Sequence, residues 1–292
     1  MRGIIVKALS GFYYVEDNGE VIECRARGKF RNNDESPLVG DFVEYSLTDN
    51  QKGSVDKILP RKNMLIRPSV ANIDKLFVVV SVADPKPNTF VIDKIIMNAE
   101  DKSIEPIIII NKCDLGDYEA IATIYKNAGF KVICVSASAG ENISEIKPLI
   151  SKSTIAFTGN TGVGKSSIIN ALSDNLELST GEVSKKLGRG RHTTRHVELF
   201  SLCGGYIVDT PGFSSFDMEK CGFVHKSDIQ FCFREFKDYI DNCKFTGCSH
   251  TKEKGCAVID ALNAGSIEKS RFESYCRFYE ESALIPDWQL NK

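Results

Sequence analysis

The chain has 292 residues, of which 42% are hydrophobic and 26% charged, and its formal net charge is −2 at pH 7. This is an ordinary globular composition that suggests two or three domains and excludes a polycation, so nucleic-acid contacts must come from local basic segments. The opening residues do not resemble a signal peptide, and no apolar run approaches the ~20 residues that span a bilayer. We therefore expect a cytoplasmic protein that contacts no membrane and keeps its cysteines reduced. Nothing in the sequence suggests an obligate dimer, so we expect a monomer.

Residues 1–66 are predicted to form a small β-barrel. Five short β-rich segments, separated by Gly, Asn and Asp, lie at 3–7, 12–16, 20–26, 42–47 and 53–58. This pattern is typical of a closed barrel, either of the OB type or SH3-like. Basic residues alternate at Arg25, Arg27, Lys29 and Arg31. In an extended segment they would share one face, either as an RNA-contacting rim or as a solvated strand edge.

Residues 67–220 alternate between apolar strands and helices. The strands are expected at 76–82, 106–110, 131–135, 154–158 and 201–209, and the helices near 90–100, 118–128 and 144–151. Such alternation indicates an α/β domain with a mostly parallel sheet covered on both faces. Residues 221–292 are expected to form a third, helical domain, with helical segments near 228–239 and 267–281 on either side of a loop rich in Cys and His.

A phosphate-binding loop is indicated by GNTGVGKS at 159–166, which follows the strand 154–158 and precedes a helical run. Glycines and a helix N-terminus allow backbone N–H groups to bind phosphate oxygens. Lys165 would reach the β- and γ-phosphates, and the Ser166 hydroxyl would bind Mg²⁺. The predicted nucleotide contacts here are Gly159, Asn160, Thr161, Gly162, Val163, Gly164, Lys165, Ser166 and Ser167.

Two further motifs predict which nucleotide binds. In DTPG, Asp209 would hold Mg²⁺ through water, and the Gly212 amide would sense the γ-phosphate. In NKCD, the Asp114 carboxylate can accept two hydrogen bonds from guanine but none from adenine, which disfavours an ATP-dependent kinase or ATPase. Asn111 and Lys112 would support the base. The backbone N–H groups of Ser136, Ala137 and Ser138 would face the guanine O6 atom.

The order of the motifs is NKCD, SAS, phosphate loop, DTPG, whereas ordinary GTPases begin with the phosphate loop. This order indicates a circular permutation, which preserves a site when the original termini are close in space. After DTPG the chain leads directly into residues 221–292. We therefore hypothesise that loss of the γ-phosphate is transmitted to that segment.

The basic segment between the phosphate loop and DTPG is the expected switch. Either Thr193 or Thr194 would complete the Mg²⁺ shell, while Arg189, Arg191 and Arg195 would contact RNA phosphates or remain solvated. Many GTPases position water with a Gln directly after DxxG, but Phe213 stands here. His192 is the nearest polar candidate for that role, or else a contact to partner RNA. We expect slow turnover accelerated by a partner; the alternative is a nucleotide-stabilised RNA-binding module without significant hydrolysis.

A metal site is predicted by C-x₄-C-x-H-x₅-C, formed by Cys243, Cys248, His250 and Cys256. Three thiolates and one imidazole complete a tetrahedral Zn²⁺ shell, so one structural rather than catalytic zinc is expected. It would hold together a small helical region without a large core.

The permuted motif order, the barrel-like N-terminus and the zinc cluster together resemble the RsgA (YjeQ) family of circularly permuted GTPases that assist late maturation of the small ribosomal subunit. The resemblance extends over essentially the whole chain. It implies an OB-fold at 1–66, a P-loop GTPase domain at 67–220 and a zinc-binding domain at 221–292. It also implies binding to the small subunit and its rRNA, with subunit-stimulated hydrolysis of GTP to GDP. His192 matches the family's switch histidine, and Phe213 matches its hydrophobic residue after DxxG.

Overall fold

The structure is a computed structural model that describes residues 1–31, 36–48, 52–65, 69–174, 197–209 and 224–286. These residues form two compact units. The first contains Met1–Lys75, Ile146–Phe157 and the described part of 172–213. The second contains Leu76–Glu145, Thr158–Ala171 and the described part of 214–292. Each unit is therefore assembled from segments that are distant in sequence.

The N-terminal strands close into a barrel within the first unit. They are β1 (Arg2–Leu9), β2 (Phe12–Asp17), β3 (Glu20–Ala26), β4 (Phe42–Leu47) and β5 (Gly53–Ile58). Their order is β1-β2-β3-β5-β4, and β4 pairs back with β1. The β3–β5 pair is parallel and the other pairs are antiparallel. This closed five-stranded arrangement confirms the predicted OB-type barrel. A two-stranded sheet of β6 (Met64–Leu65) and β7 (Val70–Ala71) was not predicted.

The barrel strand β1 also pairs outside the barrel. Three further strands of the first unit are β11 (Thr154–Thr158), β12 (Glu198–Leu202) and β13 (Gly205–Asp209). The β1 register shifts between Ile5 and Lys7, and Lys7 then pairs with Glu198 of β12. An ion pair of 3.1 Å joins the Lys7 Nζ and Glu198 Oε2 atoms. The strands β12 and β13 are antiparallel neighbours, and β13 runs parallel to β11. Because β12 pairs with both β1 and β13, the barrel strand β1 belongs to the same sheet as the strand that ends at Asp209.

The basic segment after β3 is not extended throughout, so the condition under which Arg25, Arg27, Lys29 and Arg31 would share one face is not met. The strand ends at Ala26, and the backbone of Gly28–Arg31 forms a 3₁₀ turn. The two earlier cations have local partners. The Arg25 guanidinium lies 4.6 Å from the centre of the Phe12 ring, and Arg27 Nε lies 2.8 Å from Asp56 Oδ1.

The second unit contains the expected strands and helices. They are β8 (Lys75–Ser81), α1 (Thr89–Asp101), β9 (Glu105–Asn111), α2 (Glu119–Asn127), β10 (Lys131–Cys134) and α4 (Lys165–Asp174). The central strand β9 lies between β8 and β10, and β9 and β10 are parallel. Both Ile108 and Ile109 are fully buried, as expected for a strand covered on both faces. The helix expected at 144–151 is shorter: α3 spans Lys147–Ile150.

The C-terminal segment differs from its prediction in two ways. The helix expected at 228–239 is replaced by short 3₁₀ turns, among them Ile229–Cys232 and Arg234–Phe236. The later helices are α5 (Ala257–Asn263), which was missed, and α6 (Lys269–Ala283). The expectation of no large core is wrong, because Phe233, Phe236 and Tyr275 belong to a buried cluster that also includes Met97 of α1. Aromatic rings at 4.8–5.3 Å therefore supply packing that the Cys/His spacing did not reveal.

A buried ion-pair network fastens α6 to α1. The Arg271 side chain is 1% exposed and donates to Asp93 Oδ1 at 2.8 Å and to Glu235 Oε1 at 2.7 Å. Both carboxylates are nearly inaccessible, so the Arg271 guanidinium is the cation that compensates their charge away from water. Of the helices that the structure describes, none combines the length and the apolar character needed to cross a membrane.

Candidate functional site

The phosphate-loop sequence connects β11 to α4 through backbone that requires glycine. Gly159, Gly162 and Gly164 have φ values of 139°, 86° and 96°, which side chains rarely tolerate. A Cβ atom on Gly159 would lie 2.1 Å from the Val79 carbonyl oxygen. The strand–loop–helix context predicted for this motif is therefore present.

The start of α4 presents polar groups where a phosphate would bind. Lys165 is its first residue, and its Nζ donates to the carbonyl oxygens of Gly159 at 2.7 Å and Asn160 at 2.9 Å. Burial of the ammonium group lowers the pKa of Lys165. Ser166 and Ser167 are exposed in the first helical turn. A helix N-terminus with a desolvated ammonium group favours an anion.

Asn111 joins the three motifs that lie in the second unit. Its side chain is 2% exposed, and its Nδ2 atom donates to the carbonyl oxygen of Val163 at 2.8 Å. Its Oδ1 atom accepts from the Ala137 backbone N–H at 3.1 Å. A Cβ atom on Gly164 would lie 2.2 Å from the same Nδ2 atom, so this glycine makes room for the bridge. One amide thus fixes NKCD, the phosphate loop and the SAS segment relative to one another.

In the rest of the NKCD motif, the carboxylate of Asp114 is exposed. Lys112 has a φ of 63°, and its Nζ atom donates to the Asp84 carbonyl oxygen at 2.6 Å. The Cys113 backbone N–H donates to Val135 at 3.1 Å, which anchors the turn beside β10. Asp114 is exposed, so its oxygens are accessible to a ligand. An exposed carboxylate on an anchored turn suits recognition of a base edge.

The SAS segment is held by its own hydroxyl groups. The buried Ser136 Oγ lies 3.1 Å from Ser138 Oγ and accepts from the Ala139 backbone N–H at 3.2 Å. Backbone hydrogen bonds between Ser136 and Glu141 close the loop. The segment therefore lies next to Asn111, and its contact with the guanine O6 atom stays a prediction.

Other predicted site residues lie outside the described residues. These are Arg189, Arg191, His192, Thr193, Thr194, Arg195, Gly212 and Phe213. The backbone of Asp209 is described as the last residue of β13, which agrees with the expected strand end. The roles assigned to all of these residues stay predictions.

The predicted metal ligands form one cluster. The ligand atoms of Cys243, Cys248, His250 and Cys256 all lie within 4.8 Å of one another. The His250 Nδ1 atom is 3.5 Å from Cys243 Sγ and 3.4 Å from Cys256 Sγ, and these two sulfur atoms are 3.8 Å apart. Burial raises the pKa of the Cys248 thiol to about 12 and lowers the pKa of the His250 imidazole. A bound cation would lower the pKa of the Cys248 thiol, because it stabilises the thiolate.

Comparison with known proteins identifies the chain's relatives. The RsgA GTPase profile matches residues 58–219, and the RsgA N-terminal domain profile matches residues 2–55. The chain belongs to the RsgA GTPase family. It is 43% identical to the small ribosomal subunit biogenesis GTPase RsgA of Caldanaerobacter subterraneus subsp. tengcongensis, over 96% of this chain and 95% of that protein. It is 41% identical to the protein of the same name from Shouchella clausii, over 96% and 97% of the two chains.

Solved structures of this family confirm the architecture. YloQ, described as a circularly permuted GTPase, is 36% identical and superposes with a TM-score of 0.80 over 97% of this chain and 94% of its own. YjeQ from Thermotoga maritima is 33% identical, with a TM-score of 0.83 over 98% and 99%. The RsgA family membership, the permutation and the assignment as a GTP hydrolase are therefore confirmed.

Two supporting residues of the RsgA-type C-terminal segment were missed by the sequence analysis. Gln230 Oε1 lies 2.9 Å from His250 Nε2. Glu253 accepts backbone hydrogen bonds from Ser249 at 2.9 Å and from Thr251 at 3.1 Å. Its position between two of the cysteines was a usable signal, whereas nothing in the sequence connects Gln230 with His250.

Proposed function

We propose that this chain hydrolyses GTP to GDP while bound to the small ribosomal subunit, and that the subunit accelerates the reaction. The strongest support comes from the side-chain amide of Asn111, which is hydrogen-bonded both to the phosphate loop and to the segment predicted to hold guanine. A rigid connection of this kind lets one binding event engage phosphates and base together. The proposal rests on this geometry and on membership of the RsgA family.

The nucleotide roles follow from the chemistry of each group. Asp114 would read guanine, Lys165 would bind the β- and γ-phosphates, and the backbone N–H groups of 159–166 would surround the phosphate oxygens. Mg²⁺ would be held by the exposed hydroxyl of Ser166, by Asp209 through water and by Thr193 or Thr194. Bound Mg²⁺ would neutralise charge developing on the phosphates. His192 remains our candidate for positioning water.

We propose the small ribosomal subunit as the partner because the relatives are named small ribosomal subunit biogenesis GTPases. We assign RNA contacts to Arg25, Arg27, Lys29 and Arg31 on the barrel and to Arg189, Arg191 and Arg195 in the switch. Arg25 and Phe12 support this, because a guanidinium stacked on a ring at 4.6 Å offers both charge and an apolar face. We further propose functional segments at 1–66, 67–220 and 221–292, a monomeric state without membrane contact, and a cytoplasmic location.

The Cys₃His cluster fits one structural Zn²⁺. With Zn–S of about 2.3 Å and Zn–N of about 2.0–2.1 Å, a tetrahedron has S–S edges of roughly 3.8 Å and S–N edges of roughly 3.6 Å. The observed separations of 3.8 Å, 3.5 Å and 3.4 Å agree with these edges. Cys243, Cys248, His250 and Cys256 would hold the ion, and zinc would fasten the loop to the aromatic core. Four protein ligands leave no position for substrate.

The proposal is tested by phosphate release from GTP and from ATP, with and without purified small ribosomal subunits. We expect turnover specific for GTP that rises strongly with subunits. Asp114→Ala should lose the preference for GTP, because the carboxylate that rejects adenine is removed. Large ribosomal subunits serve as the matched control and should not stimulate turnover.

Two outcomes would refute parts of the proposal. No turnover under either condition would indicate a nucleotide-stabilised binding module and remove the hydrolysis step. Rapid hydrolysis by the isolated chain, unchanged by subunits, would remove the stimulated mechanism while leaving the nucleotide site in place.

A further inference from the structure

The amide of Gln230 has a defined orientation. Its Nε2 atom donates to the Ser227 carbonyl oxygen at 2.9 Å. Its Oε1 atom therefore faces the His250 ring, where it lies 2.9 Å from Nε2. Because a carbonyl oxygen only accepts, the His250 Nε2 atom must carry the proton.

This hydrogen bond determines which ring nitrogen is free. With the proton on Nε2, the lone pair of neutral His250 lies on Nδ1. That atom faces Cys243 Sγ at 3.5 Å and Cys256 Sγ at 3.4 Å. The ring is 1% exposed, so water does not compete for either nitrogen atom.

The backbone at His250 also favours a fixed ring. Its φ is 55°, in the left-handed region that residues with a side chain rarely adopt. Such a conformation persists only when the surroundings hold it. The adjacent contacts do so, since the Tyr275 hydroxyl donates to the Ser249 carbonyl oxygen at 2.8 Å.

We propose that Gln230 is the positioning residue that holds His250 as an Nδ1 ligand of the zinc ion. This inference rests on the proposed zinc site. Ile229–Cys232, the turn that carries Gln230, contributes the buried Ile229 and Cys232 to the same core as Met97 of α1. Gln230 thus connects the metal ligand to the helical core through one side chain.

The hydrogen bond between Gln230 and His250 should slow the loss of the metal ion. A histidine whose second nitrogen is hydrogen-bonded keeps its ring orientation and is a more basic ligand, and losing such a partner typically costs about 10- to 100-fold in metal affinity. Without Gln230 the ring can rotate within the pocket and its Nε2–H is left buried and unpaired.

The first measurement uses the wild-type protein. Nitrogen-15 and proton NMR of the zinc-loaded chain should find the His250 proton on Nε2, in slow exchange with solvent, and the metal on Nδ1. Zinc bonded to Nε2 would overturn the proposal. Metal analysis on the same sample separates the two inferences, because a chain purified without zinc, and unable to take it up, overturns the zinc site itself.

The second measurement compares variants by zinc release to a chromogenic chelator. Gln230→Leu should release zinc about 10- to 100-fold faster than wild type. Gln230→Glu keeps the acceptor for the His250 Nε2–H but loses the donor to the Ser227 carbonyl oxygen, so its release rate should lie closer to that of wild type than to that of Gln230→Leu. Phe231→Ala, in the same turn but with a side chain that is 66% exposed, is the matched control and should change nothing.

The outcomes are decisive even where a variant folds poorly. An unchanged release rate in Gln230→Leu overturns the positioning role. If that variant does not fold, release from Gln230→Glu that is less than about 10-fold faster than wild type supports the role, and release accelerated about 10-fold or more contradicts it. GTP hydrolysis is assayed independently, so failure of the GTPase proposal leaves these readouts intact.

Discussion

The side-chain amide of Asn111 donates to the carbonyl oxygen of Val163 at 2.8 Å, so the NKCD segment holds the phosphate loop directly. The same amide accepts from the Ala137 N–H. Neither contact needs a ligand, and both lie within one compact unit. The Asn111 side chain therefore holds the phosphate loop and the SAS segment in a fixed relation, and such a connection lowers the ordering cost that nucleotide binding would otherwise carry.

Replacing Asn111 with Ala should weaken GDP binding. The change leaves the Val163 carbonyl and the Ala137 N–H without their partner, which should lower the free energy of unfolding by about 1–3 kcal/mol. The phosphate loop and the SAS segment are then no longer held together, so GDP binding must carry the cost of ordering them. Titration calorimetry would measure the loss of affinity. Asn127→Ala, which removes an exposed contact to Glu268, is the control; equal losses in both variants would contradict the bridging role.

Replacing Lys165 with Met should separate binding from stability. GTP affinity should fall roughly 10- to 150-fold, because charge-assisted hydrogen bonds to phosphate are lost. The nucleotide-free variant should unfold at no lower temperature than wild type at pH 7, since burial already disfavours the ammonium group. A clear decrease in Tm would show that the contacts to Gly159 and Asn160 outweigh that desolvation.

The stability of the wild type relative to the Lys165→Met variant should depend on pH. Burial lowers the pKa of Lys165 in the folded chain below its ordinary value of 10.5. The unfolded chain therefore holds more protons between the two pKa values, and wild-type stability rises with pH in that window relative to the Met variant. Thermal melts of both proteins as the pH is raised toward 10.5 would detect it.

Removing Arg271 should destabilise the fold more than removing any exposed cation. Arg271→Met leaves Asp93 and Glu235 as buried carboxylates without their cation, for which about 3–5 kcal/mol is expected. Lys269→Met removes a cation in the same helix whose side chain is 84% exposed, and should cost less than about 1 kcal/mol. Urea unfolding compares them, and similar midpoints would refute the network's importance.

Glu253 should stabilise the Cys/His loop in a pH-dependent manner. Burial alone would raise the pKa of its carboxyl group, but hydrogen bonds from Ser249 and from backbone N–H groups lower it to about 2. The stabilisation is therefore complete above the unfolded value of about 4.5 and is lost as the pH falls through 2. Glu253→Gln should cost about 1–2 kcal/mol at pH 7 after allowance for solvent screening. The difference in unfolding free energy from wild type should shrink below pH 4.

Much of the fold and of the candidate site could be predicted from local sequence patterns. The strand bounds at Glu20–Ala26, Phe42–Leu47 and Gly53–Ile58 were predictable because polar and glycine breaks surround short β-rich runs. The phosphate loop was predictable because its glycines serve a local backbone need.

What the sequence concealed depends on distant residues meeting. Arg271 contacts Asp93 across 178 positions, and no spacing rule connects them. Gln230 meets His250 across 20 positions, and nothing in the Cys/His spacing points to a glutamine. The 228–239 segment was misjudged because its closely spaced phenylalanines satisfy a helical period while serving consecutive 3₁₀ turns.

The pairing of Lys7 with Glu198 sets an order of events during synthesis. The two residues are 191 positions apart, so at about 5–20 residues per second Lys7 is made roughly 10–40 s before its partner. During that interval the second half of β1 lacks its neighbour β12, and an open strand edge invites pairing with other chains. A lysine is the residue type that discourages such contacts. Lys7 is thus suited to both situations, since its charge disfavours pairing at the open edge and later forms the ion pair with Glu198 of β12.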